Sequence, residues 1–126
     1  MGNSRTGLIP IYTTKGDAEA FLLYPHLFNR NGDWIGFVTT KREVYSVLGH
    51  FVGTLTNDPR IISKRATATL RPRLNPPPKP PRIYPPATIP LAPLMGELSH
   101  STIDVLLDAP ERLHTLDAGE QRQDMD

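Results

Sequence analysis

The side chains able to do chemistry are few in this chain, and their spacing suits chemistry poorly. Four histidines, His26, His50, His100 and His114, are scattered with no second histidine at the short offsets of a metal-binding motif. Cysteine is absent, which removes thiol nucleophiles, Cys-based zinc sites and iron–sulfur clusters. Asp17 and Asp33 each follow a glycine directly, a placement that belongs to turn chemistry before acid–base chemistry. No glycine-rich phosphate loop, nucleophile elbow or HExxH motif occurs. The sequence therefore predicts no catalytic residue, no metal ligand and no cofactor, and the chain reads as a non-enzyme. The rival reading is a small ligand-binding barrel or an enzyme of unknown substrate.

Residues suited to recognition are easier to find. Trp34 is the only tryptophan, and tryptophan is enriched at interface hot spots; core packing is its simpler role. Pro77-x-x-Pro80-x-Arg82 matches a PxxPxR pattern read by aromatic-lined grooves, although a stiff spacer explains the same prolines. Ile103, Leu106 and Leu107 would share a face if residues 99–107 formed a helical turn ended by Pro110. The same residues could add as a strand to a sheet edge, either a partner's or this chain's own.

The elements that must position these residues are legible as a repeat. Three segments align, Ile11–Phe21, Leu27–Phe37 and Val44–Thr54. Each reads aliphatic, aromatic, three residues, glycine, three residues, small residue. The aromatics are Tyr12, Phe28 and Tyr45, the glycines Gly16, Gly32 and Gly49, and the small residues Ala20, Gly36 and Gly53. Asn31-Gly32 is a strong hairpin signal, because a two-residue type I′ turn needs positive φ at both central positions. Counting outward from such turns pairs Ile11 with Ala20, Leu27 with Gly36 and Val44 with Gly53. The same count pairs Tyr12 with Glu19, Phe28 with Ile35 and Tyr45 with Val52, and puts Trp34 on the face of Leu27 and Gly36. A small residue recurring at one site lets another backbone approach. A fourth copy is expected from Ile61-Ile62, with Ala66 in place of the glycine and Leu70 in place of the small residue, and is degenerate.

The phrase Leu27-Phe28-Asn29-Arg30-Asn31-Gly32-Asp33-Trp34-Ile35-Gly36-Phe37, repeated at this spacing, resembles the four-fold β-flower domain of bacterial proteins over residues 8 to about 66. The resemblance implies four short hairpins about a pseudo-fourfold axis and carries no catalytic residues with it. The expected fold is all-β, with tandem hairpins in a compact propeller-like or barrel-like arrangement and a disordered, proline-rich C-terminal tail.

Composition divides the chain accordingly. A flexible leader spans 1–7, the hairpin domain 8–70, a proline-rich linker 71–97, a short amphipathic motif 98–116 and an acidic disordered tail 117–126. Ten of the 14 prolines lie between Pro72 and Pro93, so that stretch should be extended polyproline II. Residues 60–96 hold seven basic residues and no acid, while 97–126 hold eight acids, a segregation common in interaction tails. Phosphate contacts by the basic block are disfavoured, because only Tyr84 supplies an aromatic for base stacking. No apolar run could span a bilayer. Membrane contact would need acylation of Gly2, whose surroundings fit an N-myristoylation pattern. The expected function is a cytoplasmic, non-catalytic interaction or assembly module. Its β-domain would self-associate or bind a protein partner, and its tail would carry the 98–116 motif.

Overall fold

The computed structural model describes residues 7–65 and 71–117. The expected leader up to residue 6, the fourth-copy positions Ala66 and Leu70, and the acidic tail from 118 onward lie outside the described residues.

The chain is all-β. Eight strands form one antiparallel sheet in sequence order, curled into a half-barrel: β1 (Leu8–Tyr12), β2 (Ala18–Leu23), β3 (His26–Asn29), β4 (Trp34–Val38), β5 (Glu43–Ser46), β6 (Phe51–Leu55), β7 (Ile61–Lys64) and β8 (Thr102–Asp104). A short helix, α1 (Val105–Asp108), and a 3-10 turn, Pro110–Arg112, follow. The three expected hairpins are β1–β2, β3–β4 and β5–β6. Ile11 pairs with Ala20, Leu27 with Gly36 and Val44 with Gly53.

One step closer to the turns the expected register fails, in the same way each time. Tyr12 pairs with Ala18, Phe28 with Trp34 and Tyr45 with Phe51, leaving Glu19, Ile35 and Val52 as the extra residue of a bulge. The loops are not two-residue type I′ turns. Gly16, Gly32 and Gly49 alone carry positive φ in them, and each glycine N–H donates to the carbonyl three residues back, on Thr13, Asn29 and Ser46. That is a three-residue loop with a glycine bulge. Its cause lies in the residue just before the loop, whose side-chain oxygen accepts the N–H two residues on: Lys15 to Thr13, Asn31 to Asn29 and Leu48 to Ser46. The β4–β5 loop repeats the device on Thr39, with Arg42 at φ 65° in the glycine position.

The bulge decides which residues make the core. It turns Ile35 and Val52 inward, beside Ile11, Leu27, Val44 and Ile61. Trp34 goes to the opposite face from that expected and packs with Phe28 and Val47. Gly36 and Gly53 lie where a Cβ would run into the neighbouring strand, at the carbonyls of Tyr45 and Ile62.

The fourth hairpin is built from two distant pieces. β7 begins where the fourth copy was expected, and its partner is β8, with Ile62 opposite Asp104 and Ser63 opposite Ile103. Of the two outcomes open for segment 98–116, the structure takes docking on its own sheet. Val105, Leu106 and Leu113 enter the main core. The hairpin domain expected over 8–70 thus lacks one strand and part of the core that complete the sheet.

Candidate functional site

Proline keeps residues 71–98 free of helix and strand, in keeping with expectation, but the segment is not a spacer projecting from the sheet. It is a strap laid across the hairpin turns in reverse order. Leu74 N–H donates to the Gly49 carbonyl at 3.0 Å, and Ile83 N–H to the Gly32 carbonyl at 3.1 Å. The arginine before each does the same one residue earlier in the turn: Arg73 Nε reaches the Leu48 carbonyl, and Arg82 Nε and Nη2 reach the Asn31 carbonyl at 3.1 and 2.7 Å. Further along, the Tyr12 hydroxyl donates to the Pro90 carbonyl at 2.7 Å.

This arrangement accounts for the arginines of the basic block. Arg71 binds Glu43 at 2.7 Å and lies over the Phe51 ring; Arg65 Nε reaches the His100 carbonyl at 2.8 Å. Arg60, only 2% exposed, donates to Asp58, to the Thr14 hydroxyl and to the Gly96 carbonyl. The Arg60 hydrogen bond holds the Asp58 carboxyl below its usual range. Thr14 then passes the chain on to buried Asp104, whose Oδ2 accepts from the Thr14 N–H at 2.6 Å and its hydroxyl at 2.7 Å. Through that carboxylate the fourth hairpin is tied to the first.

The residues singled out from sequence end in three places. Trp34 is 5% exposed, so its indole is wall rather than anchor; it lines a cleft of about 500 Å3 with Asp33, Lys79, Arg82, Leu116 and Asp117. Pro77 and Pro80 are half-buried, and Arg82 is spent on Asn31 and lies 3.8 Å from Asp33. The PxxPxR residues are thus engaged within the chain. Ile103 and Leu106 are buried in this chain's own fold, and only Leu107 reaches the surface. The most exposed large apolar side chains among the described residues lie instead on the strap: Tyr84, Leu91 and Leu94 are 84, 94 and 100% exposed.

Two signals in the sequence bear on these contacts. Thr13-x-x-Gly16, Asn29-x-x-Gly32 and Ser46-x-x-Gly49 sit inside the recognised repeat, and they mark the three-residue loop. The strap has a repeat of its own, Pro72-Arg73-Leu74-Asn75-Pro76-Pro77 and Pro81-Arg82-Ile83-Tyr84-Pro85-Pro86, nine residues apart. Polyproline II turns once in about three residues, so a nine-residue period returns each arginine to the same face.

His26 supplies a pH test of the aromatic layer. Its ring stands edge-on to Phe28 and Trp34, at 6.3 and 6.1 Å between ring centroids, with Nδ1 buried and without a partner. Burial lowers its pKa, so the unfolded chain binds the proton more tightly. Stability is therefore full above the unfolded value of about 6.5 and falls as pH drops through it. Urea midpoints measured between about pH 7.5 and 5 should fall, and His26→Gln should flatten that slope. Asp58 acts only further down, in the carboxylate range.

No family model, no curated protein and no solved structure matches this chain. Among the described residues, no group of histidine, aspartate and glutamate could hold a metal, and no helix is long and apolar enough to cross a membrane.

Proposed function

We propose that this protein is a non-catalytic interaction module that meets a protein partner through the strap where it crosses the first hairpin. The observation that carries this reading is the near-complete exposure of Leu91 and Leu94. These leucines lie three residues apart, on one face of an extended chain with about three residues per turn. The strap is tied down on both sides of them, through Tyr12 to Pro90 and Arg60 to Gly96. Leucines held in place cost little entropy to bind, and preorganised extended segments are a recurring recognition form. The interior of the half-barrel is filled by aliphatic side chains, which favours this reading over a ligand-binding barrel or an enzyme. A cytoplasmic setting and the kinship with four-fold β-flower domains belong to the same proposal. So does a protein partner, or a second copy of the chain, in preference to nucleic acid or membrane.

Affinity capture with the full chain and with a Leu91→Ser/Leu94→Ser variant tests it. Proteins retained by the first and lost from the second, with thermal unfolding of the variant unchanged, are the expected result. Identical retained sets would remove the strap as the binding face.

A further inference from the structure

The strap repeat has three stations and fills two. Prolines at 72, 81 and 90 mark them at equal spacing. The first two continue Arg73-Leu74 and Arg82-Ile83, while the third continues Leu91-Ala92. At the filled stations the strap lies so close that a Cβ on Gly49 or Gly32 would strike the carbonyl of Leu74 or Ile83. At the third, a Cβ on Gly16 would meet only the Ala92 methyl, at 4.0 Å. Among the described residues, no strap N–H donates to the Gly16 carbonyl in the manner of Leu74 and Ile83. Where the strap stands off, a cleft of about 430 Å3 opens, lined in part by Gly16, Asp17, Glu19, Arg30 and Leu91.

The acceptors at this open station repeat those at the second station, that of Arg82. Arg82 reaches the Asn31 carbonyl and the Asp33 carboxylate, the residues just before and after Gly32. Lys15 and Asp17 stand before and after Gly16 in the same loop, closed by the same Thr13–Asp17 and Thr13–Gly16 bonds. Glu19, the bulge residue of this hairpin, adds a second carboxylate where the other two hairpins have Ile35 and Val52. Among the described residues neither Asp17 nor Glu19 has an ion-pair partner; Arg30 and Lys15 are the cations nearest by lining and by sequence.

We infer that this cleft receives the arginine of an extended, proline-flanked segment of a partner protein. The guanidinium donates to the Lys15 carbonyl and pairs with Asp17 and Glu19, as Arg82 does within the chain. This rests on the strap face being the binding face, and it names what that face selects.

The probe is a labelled peptide copying the second station, residues 79–87, titrated into the full chain with amide shifts followed by NMR. Saturable binding with shifts at Gly16, Asp17 and Glu19 is expected. Replacing the peptide's arginine by alanine, or Asp17 by asparagine in the protein, should each weaken it by about fivefold. Leu91→Arg in the protein supplies the missing guanidinium in cis and should abolish binding without lowering the melting temperature. Shifts confined to Gly32 and Gly49, binding indifferent to the arginine, or no saturable binding would each overturn the assignment. If capture by the full chain still depends on Leu91 and Leu94 in that event, the strap face stands and only its arginine selectivity falls.

Discussion

Val105→Asp is expected to abolish cooperative unfolding at room temperature, whereas Leu107→Asp, two residues away, should leave the melting curve nearly unchanged. Val105 is fully buried, packed with Ile61, Leu106 and Leu113 in the main core. A carboxylate buried in that aliphatic cluster costs several kcal/mol, against a total of about 5 kcal/mol for a domain of this size. Leu107 is 37% exposed, and surface substitutions of that kind change stability by about 0.5 kcal/mol or less. Circular dichroism melts of the two variants provide the comparison. A segment 98–116 held out as a free tail would tolerate both changes alike, so equal behaviour would contradict the pairing of β8 with β7.

Gly53→Val should destabilise the fold by about 3 kcal/mol or more, since overpacking against backbone cannot be relieved by a rotamer change. A Cβ at this site would lie 3.1 Å from the Ile62 carbonyl carbon and closer still to its oxygen. Any relief would move β7 off β6, and with it the strand on which β8 pairs. Gly96→Ala is the matched control, with nothing within 4 Å of the added carbon. Denaturant midpoints should separate the two variants clearly, and a near-neutral Gly53→Val would mean that the small-residue positions are not packing constraints.

Much of the sheet was readable because hairpins are local. Ile11 to Ala20, Leu27 to Gly36 and Val44 to Gly53 follow from a short count between an aliphatic and a small residue. The pairs nearer the turn differ from the count because glycine alone does not fix the loop length. Thr13, Asn29 and Ser46, three residues before each glycine, carry the side-chain oxygens that stabilise a three-residue loop. That one extra residue sends Ile35 and Val52 to the core and Trp34 to the other face.

The candidate site was less legible. Prolines between 72 and 93 speak for extended chain, and nothing about a lone proline-rich stretch says what it lies on. Its meaning depends on Gly32 and Gly49 offering carbonyls at matched spacing to Ile83 and Leu74, a correspondence between two repeats of different period. Likewise the basic block read as an interaction tail, yet its arginines bind turn carbonyls and acids distant in sequence.

By itself, then, the sequence determined the all-β class, three hairpins and an extended proline segment, because strand alternation, turn glycines and fixed proline φ all act within a few residues. Only the tertiary structure decided how the fourth hairpin closes, where the strap lies and which turn it leaves open. Those outcomes are set by long-range partners, Ile62 with Asp104, Thr14 with Asp104, Gly32 with Ile83. No local propensity encodes such contacts, which form only when the folded sheet brings their acceptors together.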